Sequence, residues 1–134
     1  YAGRDSLHLG WTAFSMKQSD VADVLKKHLL WVHQRGGGTR ADLSLTDLRR
    51  YNFDRMTLSR AKLAGTNFSD CSMRDADLVG ADLFSAMLNG ADLTGAMLDE
   101  ADLRGAHMRG VNLENANLVG TDLRGGALML GADA

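Results

Sequence analysis

Few side chains in this 134-residue chain are of types that do chemistry, and their spacing decides each case. Cys71, the one cysteine, is the natural nucleophile to consider. It falls in a series of small residues, mostly Ala, that recurs every fifth position, so it reads as a space-filling thiol; buried in apolar surroundings it is inert. His8, His28, His33 and His107 show no metal-ligand spacing, and His28 and His33, five apart, would point to different sides of a helix. Gly36-Gly37-Gly38 followed by Thr39 and Arg40 imitates a phosphate loop but lacks the Lys-Ser/Thr pair and the preceding strand, so it reads as a linker. Asp82, Asp102 and Asp122 are twenty residues apart and could stack in one column. A single column of oxygen donors cannot enclose calcium, and such carboxylates more naturally accept from nearby corner N–H groups. Arg40, Arg49, Arg50, Arg55 and Arg60 could meet phosphate. Without interleaved aromatic residues or a positive balance, they read as a solvated rim, and direct nucleic-acid binding is disfavoured. No catalytic, cofactor-binding or metal-ligating set emerges, and the expectation is a protein that is not an enzyme and carries no cofactor.

The stretch that must position everything else is written in fives. Eighteen large apolar residues stand at every fifth position from Leu43 to Leu128, all Leu except Phe53, Phe68, Met73 and Met108. Two residues before each lies a small one, and just before each most often Asp or Asn. Gly closes eight of these eighteen pentads. On an α-helix five residues advance about 500°, so the leucines would form no stripe. On a flat strand an odd period sends alternate leucines to opposite faces. The remaining solution is a chain that turns a corner at every pentad and points each leucine at one axis, a solenoid whose units bury their apolar residues against their neighbours.

The A(D/N)LXX pattern, plain in ADLVG, ADLFS, AMLNG and ADLTG from Ala76 onward, resembles the pentapeptide-repeat family over about 90 of the 134 residues. The resemblance implies a mainly β fold, a right-handed quadrilateral β-helix of four pentads per coil, here about 4.5 coils. The large apolar residue and the small residue two before it would point inward. Leu43, Leu63, Leu83, Leu103 and Leu123 would then form one core ladder. With coils one β-spacing apart, the rod would be roughly 20 Å long.

Taken in order, residues 1–18 alternate loosely around Leu7, Leu9 and Trp11 and suggest an extended N-terminal segment lying on the array, or the tail of an upstream domain. Residues 19–40 read as a capping α-helix and Gly linker. Ser19 is the expected N-cap, Val21, Val24, Leu25, His28, Leu29 and Val32 the apolar face, and Gly36–Gly38 the stop. The solenoid spans residues 41–130. In its first coil Tyr51 and Met56 occupy inward positions, which predicts a widened coil with Tyr51 under the helix. Residues 131–134 are a tail.

The net charge of −2 is unevenly spread: residues 1–40 carry six Lys/Arg against three Asp, and residues from Leu63 onward four against eleven acidic. One cysteine, no signal peptide and no apolar run of membrane-spanning length suggest a cytoplasmic protein without a membrane partner. A first residue Tyr1 suggests a fragment or a processed product. The function expected is a protein–protein interaction or scaffold module presenting flat β faces. Outward apolar residues Val79, Phe84, Met87, Met97 and Val119, with Leu128, Met129 and Leu130 at the end, are the candidate interface. Two alternatives stand beside it. The family includes DNA mimics that bind a type II topoisomerase such as gyrase, to which the acidic body corresponds. The chain could instead be a passive domain of a larger protein. End-to-end dimers in the family suggest a homodimer through the C-terminal coil.

Overall fold

The structure, a computed structural model, describes residues 14–126. Strand β1 (Phe14–Ser15) leads into helix α1 (Gln18–Val32), and strand β2 (Thr46–Asp47) lies in the first coil of the array. From Asp42 onward the chain stacks on itself with a strict offset of twenty residues: Asp42 bridges Lys62, Lys62 bridges Asp82, and Asp82 bridges Asp102, all parallel. Four such rungs per coil make four faces, beginning at residues 41, 46, 51 and 56 of the first coil.

Let the large apolar residue be position 3 of each pentad. Positions 2 and 3 form the rung: Leu43 N–H donates to the Lys62 carbonyl, and Lys62 N–H to the Ala41 carbonyl. The corner closes when a position-1 N–H donates back to position 3, as Thr46 to Leu43. Position 5 donates to the coil above, as Leu45 to Ala64. All described position-5 residues have φ near +60 to +70, glycine or not. That conformation costs a non-glycine residue about 1 kcal/mol, and none of those here is β-branched. At Gly90 a Cβ would run into the Asp70 carboxylate, which folds over it from the coil below.

This leaves the position-4 N–H, and its partner explains the Asp/Asn signature. The position-2 side chain accepts it: Asp42 from Ser44, Asn52 from Asp54, Asp77 from Val79, Asn117 from Val119. Where position 2 is neither Asp nor Asn, an acid or amide one coil below can take over. Asp54 accepts from Arg74 N–H, and Asn89 accepts from Arg109 N–H at 2.8 Å. The Asp/Asn signature thus answers the one backbone donor of each pentad that the coil bonds leave over.

The axis is filled by Leu43, Leu63, Leu83 and Leu103 in one ladder and by equivalent columns on the other faces, fully buried up to Met108, with Leu113 and Leu118 half-buried above. Leu123, expected in that ladder, is half-buried. Several expectations for the first coil and helix need correction. Met56 is 38 % exposed rather than inward, its side chain being too long for the slot that Ala fills above it. Tyr51 stacks on Phe53 and its hydroxyl donates to the Met16 carbonyl at 3.0 Å, so it reaches the residue after β1 rather than α1. Helix α1 begins at Gln18, with Ser19 inside it and Lys17 as the N-cap, which makes no side-chain capping bond. Its end is set not by the glycines but by Gln34 in the left-handed region (φ 58), with Arg35 N–H donating to Leu30 and Gln34 N–H to Trp31. Leu29 is exposed; Val21 and His28 are the buried helix residues, with Val24 and Leu25 packed on the core. β1 pairs in parallel with β2, Phe14 opposite Thr46. Residues 1–13 lie outside the described residues, as does the C-terminal tail.

Candidate interaction face

The reactive residue types are committed to structure. Cys71 is buried and its thiol donates to the Leu48 carbonyl at 2.8 Å, the bond that Thr66 and Thr121 hydroxyls make to Leu43 and Leu98 at the equivalent position. Burial pushes the Cys71 thiol up to about 11. Asp82, Asp102 and Asp122 do stack, and each accepts from the N–H two residues on: Phe84, Arg104 and Arg124. Arg104 and Arg124 also fork onto their own Asp at 2.8 and 2.7 Å, and these hydrogen bonds hold both carboxyls below the usual range, Asp122 at about 2. Among the described residues no group of His, Cys, Asp and Glu is gathered as a metal would need. His28 is buried between helix and array, whereas His33 and His107 are exposed and apart; His8 lies outside the described residues.

The arginine rim is dispersed. Arg49 pairs with Asp47 at 2.8 Å, and Arg50 and Arg55 sit at separate corners. Arg60 lies 4.7 Å and Arg40 5.9 Å from the Trp31 ring centre, and the Arg40 Nε donates to the Arg60 carbonyl. Gly38 presses on the helix terminus so closely that a Cβ would meet the Trp31 nitrogen and stand 2.7 Å from the Leu30 carbonyl carbon.

Outward apolar side chains remain, and the fourth face collects most of them. Val119 is 66 % and Met97 41 % exposed, Val79 is half-buried, and Met56 joins them from the first coil, a residue that the inward assignment had hidden. The twenty-residue stacking puts Val79, Asp99 and Val119 in one column, with neighbours roughly 4.8 Å apart. Met97 takes the position-2 place between Asp77 and Asn117, so Asp99 N–H loses the side-chain acceptor that Val79 and Val119 have. The Asp99 Oδ1 is shielded and has no hydrogen-bond partner. Phe84, 47 % exposed, stands on the first face under the Arg104 guanidinium, 5.4 Å from the ring centre, and Met87 is half-buried on the second. The structure therefore divides the five interior candidates: three share a face and two do not. Leu128, Met129 and Leu130 lie outside the described residues.

The array's sequence matches the model of pentapeptide repeats, in eight copies over residues 52–90 and 86–125. Among solved structures, a pentapeptide repeat protein (Rfr23) of the cyanobacterium Cyanothece 51142 is 40% identical with a TM-score of 0.64, over 66% of this chain and 61% of that one. A pentapeptide repeat protein of the Arabidopsis thaliana thylakoid lumen is 29% identical with a TM-score of 0.63, over the same shares, 66% and 61%. The chain thus spans about three fifths of the length of these relatives. QnrB1, a plasmid-mediated fluoroquinolone resistance protein, is 23% identical over 66% of this chain and 58% of that one, with a TM-score of 0.45, too distant to carry an argument about partners. No curated protein sequence matches the chain.

Proposed function

Because the chain belongs to the pentapeptide-repeat family and so forms a right-handed quadrilateral β-helix, we propose that it is a non-enzymatic protein-interaction module that binds through its fourth face. One observation carries this reading: Val79, Met97 and Val119 gather on a single flat face around a carboxylate oxygen without a partner. Inside a solenoid these exposed side chains have no use, and a partner that covered them would remove their apolar surface from water. The partner surface suited to this face is apolar. Helix α1 and β1, in this reading, cap the first coil and leave the faces as the surface on offer. Among the described residues no helix is long and apolar enough to cross a membrane.

Affinity capture by the unmodified chain, by Met97→Lys with Val119→Lys, and by Phe84→Lys tests the reading. A protein retained by the first and third but lost with the second supports it. A protein lost only with Phe84→Lys moves the site to the first face, and one retained by all three removes the faces from the function.

A type II topoisomerase is the second reading for the partner, favoured by the acidic body: four basic against ten acidic residues over 63–126. Three of those acids, Asp92, Asp102 and Asp122, are already paired with Arg74, Arg104 and Arg124, which thins the negative field that a DNA mimic needs. Inhibition of gyrase supercoiling by the purified chain would favour it; full activity in a large excess of the chain would remove it. A homodimer through the C-terminal coil, with Leu128, Met129 and Leu130 at its centre, is a further part of the proposal. Light scattering on the unmodified chain and on Leu128→Lys with Leu130→Lys reads it directly.

A further inference from the structure

The structure assigns His28 the role of a proton-sensitive latch that holds helix α1 on the first coil at neutral pH and releases it on acidification. The geometry rests on what a first coil lacks. Everywhere above it, a position-1 N–H donates to a carbonyl three residues back, and a position-4 carbonyl accepts an N–H from the coil below. In the first coil Ala41 N–H has no carbonyl three residues back within the array, and the Ser59 carbonyl, like those of Ser44, Arg49 and Asp54, has no coil below it. His28, fully buried, supplies both: its Nδ1 accepts from Ala41 N–H at 2.9 Å and its Nε2 lies 2.8 Å from the Ser59 carbonyl oxygen. One imidazole therefore ties the helix to the beginning and the end of the same coil.

These partners leave the ring a single tautomer. An amide N–H can only donate and a carbonyl can only accept, so Nδ1 carries no proton and Nε2 carries one. A second proton must go onto Nδ1, where it would face the Ala41 N–H directly. Protonation thus breaks the tie to Ala41, and it places a charge where no water reaches.

The surroundings point the same way. The Trp31 ring stacks on the imidazole, centres 5.4 Å apart, and the Arg60 guanidinium lies over that indole. The charged groups that act on His28 are Arg40 from the linker, Arg60 from the first coil and Asp77 from the second: two cations against one carboxylate. Burial, first, and the two arginines hold the imidazole below its ordinary 6.5, against the opposing pull of the Ser59 hydrogen bond and Asp77. With the undocked helix, His28 titrates near 6.5; docked, it titrates lower. The docking it provides is complete above 6.5 and is lost as pH falls from there towards the docked value.

While pH stays above the docked value, the helix-opening equilibrium rises roughly tenfold between about pH 7.5 and 5.5, since it scales inversely with the neutral fraction of an ordinary histidine. Amide hydrogen exchange on the whole chain, corrected for the intrinsic pH dependence, reads this. Protection at Ala41 and along α1 should fall about tenfold over that interval while Leu83 and Leu93 amides in the third coil stay unchanged. His28→Gln keeps one donor and one acceptor without titrating, and should abolish the difference. An unmodified chain whose helix and third coil respond alike, or a His28→Gln chain that keeps the full tenfold change, overturns the latch. Should His28→Gln leave the helix undocked at every pH, the ring titration of His28 by NMR in the unmodified chain decides. A midpoint below 6.5 sustains the latch and one at or above 6.5 refutes it.

Discussion

Leu93→Ala tests the architecture most directly. Leu93 is fully buried in the third face's column, between Met73 below and Leu113 above, twenty residues away on each side. Truncation removes apolar surface equivalent to about three methylene groups, or roughly 2.5 kcal/mol of transfer free energy. A cavity term is added wherever the neighbours cannot collapse. Here they cannot: each coil is held on the next by backbone bonds on all four faces, and the slot beside Leu93 is closed by Ala91. The cost should lie in the upper half of the usual range, about 4 kcal/mol. Two interfaces weaken at once, that with the coil below and that with the coil above. For a chain of this size the loss corresponds to a fall in Tm of roughly 10–20 °C. The control is the next residue. Thr94 points outward and its hydroxyl donates to the Asp92 carboxylate at 2.6 Å, a bond Thr94→Ser retains, so that variant should move stability by less than about 0.5 kcal/mol. Urea and thermal unfolding by circular dichroism measure both. If Leu93→Ala unfolds within about 1 kcal/mol of Thr94→Ser, the inward and outward positions are misassigned and the coil geometry fails with them.

Three further outcomes follow from single contacts. Asn89→Ala should cost about 1 kcal/mol, because it deprives Arg109 N–H of its acceptor across the coil boundary; a neutral result in the same denaturation assay would show that water replaces it fully. Gly38→Ala, which drives a methyl into the helix terminus at Trp31 and Leu30, should destabilise by at least about 1–3 kcal/mol and speed exchange along α1, and wild-type exchange would refute the close approach. The Cys71 thiol, raised to about 11 from 9.0, should react with a disulfide reagent at pH 8 roughly a hundredfold more slowly in the folded chain than in denaturant; equal rates would mean an exposed sulfur.

Much of the molecule was legible in the order of residues alone. A period of five that suits neither helix nor strand dictates a corner at each pentad, and the leucine at every fifth place then has only the axis to point at. The role of Asp82, Asp102 and Asp122 as acceptors for corner amides was equally legible, because donor and acceptor are two residues apart and their geometry is local. Tertiary stacking decided the rest. Asn89 looks like any outward polar residue until His107 is found, one coil above, at a position that offers Arg109 N–H no acceptor. Met56 has the spacing of an inward residue, yet the narrow axis admits only small side chains there. Val79, Met97 and Val119 share a face with Asp99 only because the coil is twenty residues long, while Phe84 and Met87 fall elsewhere. His28 has the spacing of an ordinary apolar helix residue; its two ring nitrogens gain their purpose from Ala41 and Ser59, 13 and 31 residues away. Periodic sequence specifies what each repeat does to its own chain. The ends of an array and the contacts across its coils are non-local, and no repeat pattern encodes them.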